Sequence, residues 1–413
     1  MTGMGNGHRD HAVIVAFQRD LFHQGLVVLA LGLVVLIAWS LTRRAQLERA
    51  AGGQIGPTGA AAETPEAPAR RLLRIGFGLL WIFDGVLQGQ ASMPNSLVPQ
   101  VIKPAAQSSP VWIQHMVADA SRVWSSHPAT AAAAAVWIQI GIGVWMLVAP
   151  AGRWSRAAGL AGAAWGLIIW AGAEAFGQVF GSGLSFLTGA PGSALIYAIA
   201  GGLIALPDTA WTGSGTGRLI TRLNGVFLLA MALLQAWPGR GFWQGQRRGT
   251  LSAMVHDMAQ TPQPPLLAHA VGRFASFDAA HGWAVNLFAV SALVVIGAAL
   301  LVGRPALARL GVIAGLVFAT AEWVLIQDLG FLGGIGTDPN TAVPWALLLV
   351  AGYVALVRTV PAAAVAPVTP PARWPDRLAA EPAYALRAVA ALAAVGVTIL
   401  GAAPMAFDAL ASR

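Results

Sequence analysis

Ten stretches of roughly membrane-span length run through this chain with almost no charge in them, near 23–42, 72–88, 130–149, 157–177, 192–206, 219–236, 283–302, 309–327, 342–357 and 384–403. Crossing about 30 Å of hydrocarbon takes an apolar helix of about 20 residues, because every backbone polar group must be satisfied within the segment. The expected fold is therefore an all-α integral membrane protein of about ten transmembrane helices. Only 10% of the 413 residues are charged, against about 25% in soluble globular proteins. The 48 Gly and 16 Trp suit membrane helices and their interfaces.

The net charge of +8 is carried by 24 Arg and one Lys. Arg43, Arg44, Arg49, Arg70, Arg71 and Arg74 lie between the first two stretches. Arg153 and Arg156 follow the third, Arg218 and Arg222 open the sixth, Arg304 and Arg309 follow the seventh, and Arg358, Arg373 and Arg377 follow the ninth. With alternating helices all fall on one side, the positive-inside pattern. The basic excess then marks topology, and a nucleic-acid partner is not expected. The partner expected first is the lipid bilayer: a multi-pass protein of the cell membrane with both termini on the outer side. The first stretch has its Arg pair after it and no small-residue cleavage site, so it reads as an anchor.

The chain also repeats itself. Arg71-Leu72, Gly78 and Gln88 recur 147 positions on as Arg218-Leu219, Gly225 and Gln235; His115 and His127 recur 154 on as His269 and His281; Glu174 and Pro191 recur 148 on as Glu322 and Pro339. A four-span unit used twice returns the chain to its starting side, so the copies are expected to be parallel. The expected organisation is an outer tail and anchor helix at 1–50, a cytoplasmic linker at 51–69, a first four-helix repeat at 70–207, a linker at 208–217, a second repeat at 218–358, a Pro/Ala-rich cytoplasmic linker at 359–382, and a terminal helix at 383–413. One helix thus flanks the repeats at each end.

The opening Arg71-Leu-Leu-Arg-Ile-Gly-Phe-Gly, the long external segment after it, and a Glu followed by a Gly-rich loop and a small-polar-Pro turn resemble the DoxX and DoxD group of membrane proteins. That turn is seen in full at Thr337-Asp338-Pro339-Asn340-Thr341 and degraded at Gly189-Ala190-Pro191-Gly192-Ser193. The resemblance covers about 70–206 and 217–358. Some members of that group are subunits of quinone-linked oxidoreductases acting on reduced sulfur compounds, and many have no known activity. It implies a membrane subunit of a quinone-linked system, with quinone as cofactor and an electron-transfer partner protein.

Three acids lie within the stretches: Asp84, Glu174 and Glu322. Each of the two Glu follows an Arg by 18 residues, about 27 Å along a helix, which places it near the outer edge of the hydrocarbon. An ionisable group there is a candidate for proton exchange, and these three are the candidate catalytic residues. The structural alternative is that each Glu accepts N–H bonds from the loop that follows it. For Asp84, whose counterpart is Met231, the alternative is a hydrogen bond between helices.

His115 with His127, and His269 with His281, are twelve residues apart. On one helix that is about 18 Å of rise and a turn of about 120°, so a shared ligand needs a break; Pro128 and Gly282 make one plausible. Two His and one Glu per unit would suit a divalent transition metal. Met254, His256 and Met258 alternate, as do Met1, Met4, His8 and His11 more loosely, and an extended strand would align such ligands for copper. Surface His and packing Met are the common alternatives. The external segments around 111–117 and 274–277 read as amphipathic helices at the interface, where Trp112, Trp124, Trp237 and Trp243 could roof a cavity in each unit or form an aromatic belt.

Zero Cys excludes disulfides, thiolate nucleophiles and Cys-held clusters, so electrons would have to come from a cofactor or partner. No Walker, Rossmann, GxSxG or HExxH pattern occurs. Whether the chain is itself an enzyme stays open at this point. The functional rivals are a transporter or channel built on the two repeats, a non-catalytic scaffold, and an extracytoplasmic metal-binding protein.

Overall fold

The computed structural model describes residues 3–51, 66–181, 184–243, 250–261, 263–332, 334–359, 361 and 382–411, without the side chains of 3–10, 35, 36, 38, 39, 42, 43, 45–51, 250, 382, 383, 385 and 400–411. Among these residues all regular structure is helical. The chain runs through α1 (Gly3–Ala51), α2 (Pro68–Gln88), a broken connection of α3 (Met93–Leu97), a π turn and α4 (Lys103–Ala106), then α5 (Val111–Ser126), α6 (Pro128–Val148), α7 (Arg153–Gly172) and α8 (Ser193–Ala205). It continues through α9 (Gly215–Ala236), α10 (Thr250–Ala259), α11 (Pro265–Leu301), α12 (Pro305–Leu325), α13 (Ala342–Val357) and α14 (Pro382–Ala411).

Among the described residues, five helices are long and apolar enough to cross a membrane: His11–Val34 within α1, and α6, α9, α11 and α12. A sixth is formed if α2 and Met93–Ala106, bent by 96°, are one span. The chain is thus a multi-pass membrane protein by length and composition. Helices α8 and α13 and the Leu386–Ile399 part of α14 are apolar but shorter; at 13 residues α8 is about 20 Å long, less than the hydrocarbon thickness.

Two sets of helices pack in the same order. Helix α2 lies on α6 and α7 on α8; α9 lies on α11 and α12 on α13. The α2–α6 contact is closest at Gly78 and Gly143, where a Cβ on the first would come 3.1 Å from the carbonyl oxygen of the second, and the reverse distance is 2.5 Å. Gly225 and Gly297 bring α9 and α11 together in the same way, at 2.7 and 3.0 Å. Small residues let backbones approach, which is how membrane helices gain packing without a hydrophobic driving force. Helix α13 also packs on α2, joining the halves, whereas α1 and α14 both lie on α6 and so flank the first half only.

The breaks expected at the second His of each pair are present. His127 (φ −140°) separates α5 from α6, and His281 (φ −127°, ψ 22°) is a non-helical point inside α11. Helix α5 is amphipathic as expected, burying Ile113, Val117, Ser121 and Trp124.

At the end of the bundle opposite these breaks, three Arg side chains tie down helix C-termini. Arg70 is fully buried and donates to Ile204 O (3.0 Å), Ser155 Oγ (2.8 Å) and Glu66 (3.1 Å). Arg74 donates to Met146 O (2.5 Å), Leu147 O (3.1 Å) and both oxygens of Glu66, and Arg156 to Ala205 O (2.9 Å). Cations suit these sites because the last carbonyls of a helix lack partners and carry partial negative charge. The expected linker at 208–217 is not a loose connection. Trp211 is buried, Asp208 pairs with Arg70 at 3.4 Å, and α9 already begins at Gly215. A Trp in a Gly/Ser/Thr run supplies the apolar surface that composition alone hid. Residues 52–65 of the expected linker at 51–69, and all of that at 359–382 except 359, 361 and 382, lie outside the described residues.

Candidate functional site

Helix α7 stops at Gly172, earlier than its apolar stretch, because the chain turns left-handed at Ala175, Phe176, Gly177 and Gln178 (φ 48°, 60°, 60° and 57°). A Cβ on Gly177 would overlap the Pro191 carbonyl, so the turn is closed by direct backbone contact between 177 and 191. Trp170 Nε1 donates to that same carbonyl at 2.8 Å. This fixes Glu174, whose carboxylate accepts from Ser193 Oγ (2.8 Å) and from the Ala194 N–H (3.2 and 3.3 Å) at the first turn of α8. An anion there is stabilised by the unpaired N–H groups and the helix dipole. The hydrogen bonds of Glu174 thus come from the first turn of α8 and not from the loop that follows the Glu, and Glu174 also lines open space.

That space is a cavity of about 200 Å³ in the first half. Its wall is mostly apolar, with Leu97, Val101, Val123, Ile168 and Ile169 among its lining. Its polar groups are Asp84 and Gln88 from α2, Gln139 from α6, Glu174, Ser193 and Tyr197 from α8, and Thr337 and Asp338 from the loop before α13. Trp81, Trp124 and Trp165 complete the lining, Trp124 being held by its Nε1 bond to Pro94 O (3.0 Å). Among the described residues, no Arg, Lys or His lines it.

Among the described residues, many of these polar atoms have no protein partner. Asp84 is 3% exposed, and its Oδ1, Gln88 Oε1, Gln139 Oε1, Tyr197 Oη, Trp81 Nε1 and Trp165 Nε1 are all buried and unpartnered. Tyr197 approaches Asp84 without a well-formed hydrogen bond. Buried polar atoms are otherwise almost always paired, so such a concentration around one space marks it as built for an occupant or for water. Ser193 Oγ lies between Glu174 and Asp338, within reach of both. Asp338 also accepts from Thr337 Oγ1 (2.9 Å) and the Asn340 N–H (2.7 Å). Burial nevertheless pushes its carboxyl above the usual aspartate range, with those hydrogen bonds acting in the opposite sense.

Beneath the cavity, toward the Arg-tied end, the interior is packed with apolar side chains. Leu73, Phe77, Trp81, Ile142 and Met146 are all buried in one apolar cluster, and Tyr197 packs edge-on against Phe77 and Trp81 with ring centres 5.2 and 4.7 Å away.

Of the three acids singled out in the sequence, Asp84 and Glu174 share this cavity and Glu322 does not. Glu322 is 2% exposed; its Oε1 accepts from Gln327 Nε2 (2.6 Å) and its Oε2 is buried without a partner. The pairing of Glu174 with Glu322 is also corrected by the backbone. Gln327, not Glu322, precedes the second left-handed turn at Asp328, Leu329 and Gly330 (φ 48°, 59° and 75°). Gln327 Oε1 accepts from the Ala342 N–H (3.3 Å) at the start of α13, as Glu174 does at α8. Trp323 Nε1 donates to Pro339 O (2.9 Å), as Trp170 does to Pro191 O. Glu322 occupies the place of Ile169: Glu174 N bonds Ile169 O, and Gln327 N bonds Glu322 O. The sequence match of two Glu was a coincidence of spacing between a longer loop in one half and a shorter one in the other.

The metal readings gain no geometry. His115, His127, His269 and His281 are all exposed, and among the described residues no three His, Asp or Glu groups are placed to hold a metal ion. Met254, His256 and Met258 lie on helix α10 rather than a strand, which puts the His on the face opposite the two Met. Met1 lies outside the described residues, as do the side chains of Met4 and His8.

Tyr197, Gln88, Gln139, Ser193, Thr337 and Asp338 were not singled out in the sequence as site residues. The Thr337-Asp338-Pro339 turn was noticed only as a motif, and nothing local to it says that it enters the other half. No family model, curated protein or solved structure matches the chain.

Proposed function

We propose that the chain is a DoxX-like membrane subunit of a quinone-linked oxidoreductase system, and that the cavity of the first half receives the quinone ring. The single observation that carries the reading is the set of unpartnered donors and acceptors around a mostly apolar space. A quinone ring needs flat apolar walls, donors for its carbonyls, and acceptors that exchange protons when its hydroxyls form. Trp81, Trp165 and Tyr197 supply donors, and Asp84, Glu174 and Asp338 supply proton-exchanging carboxylates. Electrons come from a partner protein, since the chain has no thiol chemistry of its own.

In this reading the chain has ten spans, in two parallel four-helix units flanked by α1 and α14. The paired glycine contacts and the two left-handed turns support the two units. The Arg-tied end faces the cytoplasm by the positive-inside rule, so the cavity and both termini lie at the outer face. A channel or transporter needs a continuous polar path, and the apolar packing of Leu73, Phe77, Ile142 and Met146 below Asp84 favours a cavity open on one side instead.

The test is purification in mild detergent with native partners, followed by mass spectrometry of extracted lipids and titration with a short-chain quinone monitored by tryptophan fluorescence. Bound quinone or saturable quenching is expected. A preparation that retains its partners and shows neither would remove the reading. A pure scaffold predicts neither bound quinone nor saturable quenching, and a cellular phenotype that Glu174→Gln and Glu322→Gln leave intact.

A further inference from the structure

The loops before α8 and α13 exchange places. Ser185 and Phe186, carried by the first half, enter the second half. There Ser185 donates a hydrogen bond to Gln235, and Phe186, fully buried, meets Trp345, Phe227 and Phe318 at ring-centre distances of 5.1, 5.7 and 6.5 Å. The residues on either side are held by the second half as well: Arg240 Nη1 donates to Leu184 O at 3.0 Å, and Leu187 is buried in one cluster with Phe242, Leu251 and Val255. In return, Thr337 and Asp338 of the second half line the cavity of the first. Phe331 packs on Phe83 at 5.3 Å, and Gln90 Nε2 donates to Gly336 O at 2.8 Å. Where the loops pass, Thr341 Oγ1 donates to Gly189 O at 2.5 Å.

Backbone contacts match the two halves residue by residue. Gln88 and Gln235 each lie ten residues after the glycine that joins two helices of its half, Gly78 or Gly225. Trp165 and Phe318 each lie five before the tryptophan that holds the proline carbonyl, Trp170 or Trp323. Tyr197 and Trp345 each lie three after the N–H that meets the capping side chain, at Ala194 or Ala342. Gln88, Trp165 and Tyr197 all line the first-half cavity. Their counterparts Gln235, Phe318 and Trp345 are three of the four side chains that receive Ser185 and Phe186. Only Phe227 corresponds to a residue outside that lining, Leu80. The dipeptide therefore lies in the second half where the cavity lies in the first. The longer loop, closed by backbone contact between 177 and 191 rather than between 330 and 339, has the length to carry it across.

The polar contacts follow the same match. Gln235 Oε1 accepts from the Ser185 hydroxyl while its Nε2 donates to Asn286 Oδ1 at 2.6 Å. Gln88 Oε1, the matching atom of the first half, is buried without a partner among the described residues. The loop that enters the first half brings Thr337 and Asp338 to the cavity wall but no ring, since Phe331 stays on Phe83, outside the lining.

We infer that the chain contains one ring site twice, that Ser185 and Phe186 are the tethered occupant of the second copy, and that a ligand in the first copy places a flat ring against Tyr197 and Trp165 with an oxygen-bearing edge at Gln88. The ring follows from Phe186 and the edge from Ser185. No redox state of the ligand is selected, because a side-chain amide offers a donor or an acceptor according to which way it is turned, and so receives a carbonyl or a hydroxyl. Binding involves no electron transfer and no proton loss from the chain. The inference rests on the quinone reading for the identity of the ligand, but not for the two copies of the site.

The second copy is tested by emptying it. In the full chain, Ser185→Ala with Phe186→Ala frees Gln235 and removes the ring. Thermal unfolding in detergent is then followed with phenol or toluene, rings of one shape that differ by a hydroxyl. Phe17→Ala opens a void of the same origin in an apolar cluster of the first half, and the same compounds at the same concentrations there cancel their different partition into detergent. Phenol should stabilise the emptied chain more than the wild type. Its advantage over toluene in apparent affinity should be about tenfold larger than in Phe17→Ala, as one hydrogen bond provides. No gain over the wild type, or an advantage equal to that in Phe17→Ala, overturns the inference.

The first copy is tested in lipid nanodiscs. Decylubiquinone should bind Gln88→Leu about tenfold more weakly than the wild type and bind Gln235→Leu, the matching change in the occupied copy, as tightly as the wild type. No loss in Gln88→Leu, or an equal loss in both, overturns the placement of the ring while leaving quinone binding intact. If the emptied chain does not fold, this titration decides. If decylubiquinone does not bind the wild type, the functional reading falls, and the phenol and toluene comparison alone decides whether the ring site exists.

Discussion

The first half holds an acidic cavity, while in the second, built from the same helix pairings, the ring of Phe186 packs against Trp345, Phe227 and Phe318. The difference comes down to a few side chains on a shared backbone plan. Where α2 meets α8, Arg70 spans the gap with its side chain and bonds Ile204 O. Where α9 meets α13, Gly217 lets the backbones touch, and a Cβ there would come 2.5 Å from Ala355 C. The same contrast recurs at the other end, with Glu174 against Gln327 and Tyr197 against Trp345. One half uses long or charged groups and leaves room, and the other closes on itself with small and apolar ones. Similar helices can therefore serve either as a container or as a brace, and the choice is made by residues at helix ends.

This comparison can be broken most severely at Gln327. Gln327→Glu would place a second carboxylate beside buried Glu322, which already has one oxygen unpartnered. Without a compensating cation this should cost about 3 kcal/mol or more, seen as a collapse in folded yield and melting temperature. The reverse exchange, Glu174→Gln, should cost under about 1 kcal/mol, because an amide oxygen can accept from Ala194 N–H as Gln327 accepts from Ala342 N–H. If both exchanges were equally mild, the two positions would not differ as described.

Next in size is Phe186→Ala, which should remove about 3 kcal/mol by leaving a void beside Trp345, Phe227 and Phe318; thermal unfolding in detergent checks it. Gly217→Ala should cost about 2 kcal/mol through overpacking against α13. Gly202, exposed in α8 with nothing within 4 Å of an added Cβ, should accept Ala with no loss, or with a gain of up to about 1 kcal/mol. Equal effects of the two glycine changes on melting temperature would refute the direct backbone contact in the second half.

The smallest effect concerns pH. Burial raises the Asp338 carboxyl in the folded protein, so its contribution to stability is fully present below the ordinary aspartate value of about 3.9 and is lost as pH rises through the folded value. Asp338→Asn should therefore gain on the wild type as pH rises across that window, by about 2 °C at most. A constant difference at all pH values would mean that the carboxyl does not titrate with folding.

The helical class, the run of apolar segments, the breaks at His127 and His281, and the importance of Gly78 and Gly225 were legible in the sequence, because each is a local pattern of spacing. Glu174 was legible as a buried acid, though not as a helix cap. The match of Glu174 to Glu322 failed because residue identity was followed across a change in loop length. Trp170 with Trp323, and Arg156 with Arg309, share a single spacing and would have placed Gln327 correctly. Asp338 was beyond reach for a different reason. Its role depends on a contact between loops far apart in the chain, and no periodicity encodes which loop crosses to which half.

The crossing of the loops also constrains how the chain matures on the ribosome. Ser193 is made 145 residues before Asp338, an interval on the order of ten seconds at typical elongation rates. Through that interval α8 has its own capping Glu but lacks the aspartate that completes the cavity wall. The nascent first half must wait in the bilayer as an incomplete vessel, and a ligand can be retained there only after most of the second half has been inserted.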